Sequence, residues 1–145
     1  MKSAFFGLTI MLLFGLFVGG ASAQMAATFA ADAKGQIFFV TPSRNIGCTF
    51  TPQGGTGVYK PFDGGPELSC DRKEPQYVRL VVTPKSVRRF NEVGDQDGLP
   101  EDNILPYGSR WSRGPFTCDS TEAGLTCKRQ DGRGFFISRA TIRMM

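Results

Sequence analysis

Any chemistry in this chain must come from carboxylates, amines and hydroxyls, because its 145 residues include no histidine. That absence removes Ser-His-Asp and Cys-His nucleophile arrangements, most catalytic zinc sites and the commonest general base near neutral pH. The densest carboxylate group lies in 91–103, where Glu92, Asp95, Asp97, Glu101 and Asp102 occur with no basic residue. Asp95, Asp97, Glu101 and Asp102 could supply the acid and the base of a glycoside hydrolase, provided burial holds a proton on one of them. A solvated acidic loop is the plainer expectation. Asp95-Gln96-Asp97-Gly98 also matches part of a calcium loop, with Glu101, Asp102 and Asn103 as further oxygen ligands. It lacks the third acidic position and the correctly placed bidentate glutamate, so it is a weak calcium candidate. No glycine-rich phosphate loop follows a strand pattern, and no cofactor is expected.

A second group interleaves aromatic and basic types: Tyr107, Arg110, Trp111, Arg113 and Phe116. Exposed, it would stack on a sugar or grip an acidic partner. The bland alternative is a core tryptophan, the only one in the chain, with its arginines at the rim. Lys128, Arg129, Arg133, Arg139 and Arg143 face only Asp131 near the C-terminus. Such a stretch either meets an anionic surface or is simply a solvated face. Tyr107, Arg110, Trp111, Arg113, Arg133 and Arg139 are thus the candidate partner-binding residues.

The compartment decides what the four cysteines mean. Lys2, the apolar run from Phe5 to Val18 and Ala21-Ser22-Ala23 have the form of a cleavable secretory signal over 1–23. The run is shorter than the ~20 apolar residues of a spanning helix, so no stable membrane anchor is expected. Of the 17 basic residues the signal holds Lys2 alone, and it holds no acid, so the mature charge is about +3. That is too mild to imply nucleic acid. In a secreted or periplasmic domain, Cys48, Cys70, Cys118 and Cys127 are expected to form two disulfides. Sequential pairing, Cys48–Cys70 and Cys118–Cys127, is preferred, because residues 119–124 suit a hairpin turn. The chain-entropy treatment assigns about 3.4 and about 2.7 kcal/mol to the two loops. A four-cysteine zinc site is disfavoured by the lack of any C-x2-C pair.

The elements that must hold these groups are strands. Residues 36–40, 77–83 and 134–137 are apolar or β-branched runs, and 18 glycines and 9 prolines leave no room for long helices. Residues 84–90 are expected to make a turn or two of helix, and Ser138 to cap a terminal helical turn. Residues 24–34 lack structure-forming signals, leaving 35–145 as a single β domain. The fold class is therefore all-β: a small disulfide-stapled sandwich or partly open barrel with a short terminal helical turn. There is also a hint of duplication. Each cysteine pair encloses a polar, glycine-containing loop and closes on Leu-Ser/Thr-Cys, at Leu68-Ser69-Cys70 and Leu125-Thr126-Cys127. Stapled hairpins converging on one pattern would look the same.

Residues 38–48, Phe-Phe-Val-Thr-Pro-Ser-Arg-Asn-Ile-Gly-Cys, resemble the opening of an uncharacterised family of small secreted bacterial proteins with the pattern Phe-x-Thr-Pro-Ser-Gly-Asn-Ile-x-Cys. The likeness resumes at Tyr107-Gly108, Trp111, Gly114-Pro115-Phe116-Thr117-Cys118, Gly124-Leu125-Thr126-Cys127 and 132–139, and skips 72–104. It implies an exported, disulfide-bonded domain of unknown function. The pattern has Gly where this chain has Arg44, and His where it has Arg133. The expectation is an exported, non-catalytic domain, a binding or inhibitor-like module for an envelope or extracellular protein or glycan. The rivals are a His-less hydrolase using the 95–102 carboxylates and a structural envelope protein.

Overall fold

A computed structural model describes Gly20 and residues 22–94 and 102–145. Among the described residues there are eleven strands and no helix. They are β1 (Met25–Ala27), β2 (Ile37–Val40), β3 (Ile46–Thr51), β4 (Glu67–Arg72), β5 (Val78–Val82), β6 (Val87–Phe90), β7 (Ser109–Arg113), β8 (Phe116–Thr121), β9 (Gly124–Arg129), β10 (Gly134–Ile137) and β11 (Ile142–Met144). Two sheets form, in the orders β2-β3-β4-β5-β6 and β1-β7-β8-β9-β10-β11. They pack as a sandwich and do not close into a barrel.

Alternation along each strand separates the faces. Phe39, Cys48, Phe50, Leu68, Cys70, Leu80 and Val82 turn inward from one sheet, and Trp111, Phe116, Cys118, Leu125, Cys127, Phe135 and Ile137 from the other. The disulfides pair sequentially as expected, Cys48–Cys70 and Cys118–Cys127, each joining residues directly opposed in register. They meet at the centre of the sandwich, where the Sγ atoms of Cys70 and Cys127 lie 4.0 Å apart.

The two halves repeat one plan. Strands β2–β6 and β7–β11 are consecutive antiparallel meanders of five, and in each the disulfide ties the second strand to the third. Matched on the cysteines, the registers run in parallel: Cys70 opposes Leu80 as Cys127 opposes Phe135, and Val82 opposes Val87 as Ile137 opposes Ile142. Corresponding residues also touch across the sandwich. Phe39 and Trp111, each opposite the first cysteine of its half, have ring centroids 4.9 Å apart. Arg72 and Arg129, each two residues past the second cysteine, act reciprocally. Arg72 Nη1 donates to the Ser138 carbonyl at 3.2 Å, and Arg129 Nη1 to the Thr83 carbonyl at 3.1 Å. Thr83 and Ser138 themselves occupy matching positions, one residue past Val82 and Ile137. The sandwich therefore has the i-to-j and j-to-i contacts of a two-fold interface within one chain.

Three expectations are corrected. No terminal helical turn forms: residues 138–145 make a tight turn and β11, with Thr141 N–H donating to Ser138 Oγ at 3.0 Å. Residues 84–90 do the same, since Thr83 Oγ1 accepts the N–H groups of Lys85 and Ser86 at 3.1 and 3.0 Å before β6 begins. A hydroxyl accepting N–H groups just downstream serves a turn as well as a helix N-cap, and here β-branched Ile142 and Val87 pack inward as strand residues. Residues 24–34 are not featureless: β1 pairs in parallel with β7, and Phe29 stacks on Phe39 at 5.7 Å. Backbone pairing to an edge strand needs no side-chain pattern. Arg44, the position at which the secreted-family pattern has Gly, has φ +57°, a conformation that favours glycine.

Candidate functional site

Sameness between the halves makes their differences informative. The turn joining β8 to β9 is two residues, Glu122-Ala123, while the matching connection from β3 to β4 is the loop 52–66. This loop is built rather than slack. Gly54 N–H donates to the Gly64 carbonyl at 2.9 Å, and Thr56 N–H to the Tyr59 carbonyl at 2.7 Å. Gly55, at φ +81°, lies so close that a Cβ there would sit 2.3 Å from the Tyr59 carbonyl oxygen. Asp63 then moors the loop to the β5–β6 turn, accepting from Thr83 Oγ1 at 2.5 Å and Ser86 Oγ at 3.4 Å.

The loop arches over the solvent-facing side of the β2–β6 sheet and encloses a groove of about 330 Å³. Its floor is Val81 and Glu67, with Arg79, Thr83 and Ser86 around them and Tyr59, Phe62, Arg88 and Phe90 at the rim. Phe62 is 81% exposed, an unusual state for so large an apolar ring. The Arg88 guanidinium lies 3.9 Å above its centroid, a cation–π contact that holds the two side chains together.

Charged groups in and behind the groove are held by specific partners. Glu67 is 4% exposed and accepts from Tyr59 Oη at 2.7 Å. Burial pushes its carboxyl above the ordinary glutamate range, and the Tyr59 hydrogen bond only partly offsets that. Burial also pushes Asp63 upward, but the Thr83 hydroxyl, the Gly65 N–H and the Lys85 charge together outweigh it and hold Asp63 below the usual range. Behind the groove, Arg79 grips Asp71 with two bonds of 2.7 and 2.8 Å, and Tyr77 Oη donates to the same carboxylate at 2.5 Å. Burial and the Asp71 carboxylate raise the Tyr77 phenol to about 12.

The second half shows what this space looks like when filled. Val81 corresponds to Phe136, Glu67 to Gly124 and Arg88 to Arg143. The Phe136 ring lies against Gly124, where a Cβ would come within 2.7 Å of Cζ, and Arg143 covers the ring at 4.3 Å. In the first half a valine stands at the ring's position, the corresponding arginine covers Phe62 instead, and Val81, Glu67 and Arg88 all line the groove. No family model, curated protein or solved structure matches the chain. The repeat is therefore the only internal standard against which its site can be read.

Sequence reasoning singled out other residues, and the structure scatters them. Trp111 is 1% exposed and fills the core, which corrects its place among the partner-binding candidates; alternation turns it inward and its neighbour Arg110 outward. Arg110 pairs with Asp119 at 2.6 and 2.9 Å on the exposed face of β7 and β8. Arg113 and Arg133 are exposed at separate turns. Tyr107 and Arg139 both line a cavity of about 170 Å³, with Thr41, Ser43, Asn45 and the β8–β9 turn. Asp102 is exposed, while Asp95, Asp97 and Glu101 lie outside the described residues. Among the described residues, one set of potential ligand atoms comes within metal reach, Cys48, Cys70 and Cys127, and all three sulfurs are committed to disulfides.

Proposed function

We propose that this protein is an exported, non-catalytic binding module that engages an envelope or extracellular partner through the groove between loop 52–66 and the β2–β6 sheet. The observation that carries this reading is the contrast between the halves. The scaffold packs equivalently in both, but one half gives up a space-filling ring and adds a self-bonded loop with an exposed Phe62. Neither change improves the core, and an exposed aromatic beside buried polar groups is what ligand recognition uses. Export is supported by the signal-like residues 1–23, and the two formed disulfides fit an oxidising compartment. No helix among the described residues is long and apolar enough to cross a membrane.

The test uses the repeat itself. Val81→Phe installs the residue that the second half already carries at this position, so the fold should accept it with a melting temperature within a few degrees of the parent. Immobilised mature domain should retain an envelope component that the Val81→Phe and Phe62→Ala variants do not. Equal retention by all three proteins rules the groove out as the recognition surface.

One observation favours a second reading. Glu67 and Asp63 line one groove with ionisation pushed in opposite directions, the pattern from which acid and base roles are built. Turnover of a glycan by the parent, lost in Glu67→Gln, would select a hydrolase over a binding module.

A further inference from the structure

We infer that the groove accepts a neutral pyranose ring of an oligosaccharide, an assignment that rests on the binding-module reading and names its ligand. The first argument is shape. In the second half the residue at the corresponding register position supplies a six-membered ring, Phe136, whose tip lies against Gly124 and whose face is capped by Arg143. In the first half the ring is missing and the cavity is about 330 Å³, within the lower range of small-ligand sites.

The second argument is what surrounds that space. Phe136 needs only apolar neighbours, but the open groove sets polar groups around Val81: Glu67 and Asp63 as acceptors, Arg88 as a donor and Ser86 as either. A phenyl ring entering there would leave them without new partners. A pyranose presents C–H faces to Val81 and Phe62 and a perimeter of hydroxyls, each able to donate and accept. The third argument is charge. The carboxylates of Asp63, Glu67 and Glu92 face two guanidiniums, and Arg79 is already bonded twice to Asp71. An anionic sugar or a phosphate would meet that carboxylate excess, and a cation would meet Arg88. A neutral saccharide meets neither penalty.

The experiment is a backbone amide NMR titration of the oxidised mature domain with three neutral trisaccharides: cellotriose, maltotriose and N,N′,N″-triacetylchitotriose. At least one should shift the amides of residues 59–63 and 81–90 with a saturable millimolar or tighter response. Val81→Phe and Phe62→Ala should weaken that response at least tenfold while leaving the amide spectrum of β7–β11 in place. Absence of shifts from all three sugars at 10 mM overturns the assignment, as do shifts confined to the Tyr107–Arg139 cavity or unaffected by both substitutions. Failure here is separable from failure of the module reading. If Phe62→Ala abolishes retention of an envelope component while the sugars produce no shift, the module stands and its ligand is not a neutral saccharide.

Discussion

Glu67 behaves unlike a typical surface glutamate. A carboxylate 4% exposed keeps company with a phenol, and burial holds its proton to higher pH than an exposed glutamate would. The folded chain therefore binds more protons than the unfolded chain as pH rises from about 4.5 to the elevated folded value, and stability falls across that window. Glu67→Gln carries no such charge. Urea midpoints measured from pH 4 to pH 8 should show the parent losing stability relative to Glu67→Gln as pH rises, with the gap levelling once Glu67 is fully ionised. A parallel pair of curves would mean that Glu67 is solvated like a surface acid. Neither Glu67 nor Phe62 stood out in the sequence, since Glu67 sits in an ordinary Pro66-Glu67-Leu68 context and Phe62 in a glycine-rich stretch. Burial of a charge and exposure of a ring are tertiary facts. A signal was nonetheless present: Val82-Thr83-x-x-Ser86-Val87-Arg88 mirrors Ile137-Ser138-x-x-Thr141-Ile142-Arg143. Aligning the two puts Val81 opposite Phe136, and aligning Cys70 with Cys127 puts Glu67 opposite Gly124, which marks the substitutions at the site.

Strands and turns are where hydroxyl residues misled. Ser138 looks like a helix cap and 84–90 like a turn or two of helix, but Ser138 and Thr83 instead close tight turns into edge strands. The strands themselves were legible because β-branched and aromatic runs have one common use in a chain this rich in glycine and proline. The clamps between elements were not, because Arg72 reaches a residue 66 positions away. Its guanidinium also bonds the carbonyls of Gln76 and Arg139, and it is 6% exposed. Arg72→Met should cost about 2 kcal/mol, mostly from carbonyls left without a donor. Arg129→Met should cost less, since its partner Asp131 lies in solvent, where ion pairs contribute little. Chemical denaturation of both variants checks the order. Equal losses would show that the two clamps are energetically alike despite their different surroundings.

At the scale of the whole molecule, the all-β class, the two disulfides and their sequential pairing were all readable, because a signal-like N-terminus, an even cysteine count and hairpin-like spacing point the same way. Sandwich and barrel were not separable in advance. Both alternate inward and outward residues along every strand, and only the strand order shows that β6 and β7 do not pair. The two-fold plan places like against like at the centre, and the sulfur contact between Cys70 and Cys127 lies there. In an oxidising environment, this proximity predicts that a mispaired bond between the sheets can be corrected by exchange. Should Cys70 and Cys127 bond first, they bridge the sheets in an otherwise native arrangement. The Cys48 thiolate then has only to attack Cys70 Sγ, which breaks the misplaced bond and releases Cys127 as a thiolate for Cys118 to join on oxidation. Cys48→Ser removes the attacking sulfur, so peptide mapping of the oxidised variant should find the Cys70–Cys127 bridge alongside Cys118–Cys127. Finding Cys118–Cys127 alone, at every redox poise, would mean that the central sulfurs touch without exchanging. The most buried atoms of the domain would then serve its packing and have no part in its route to the folded state.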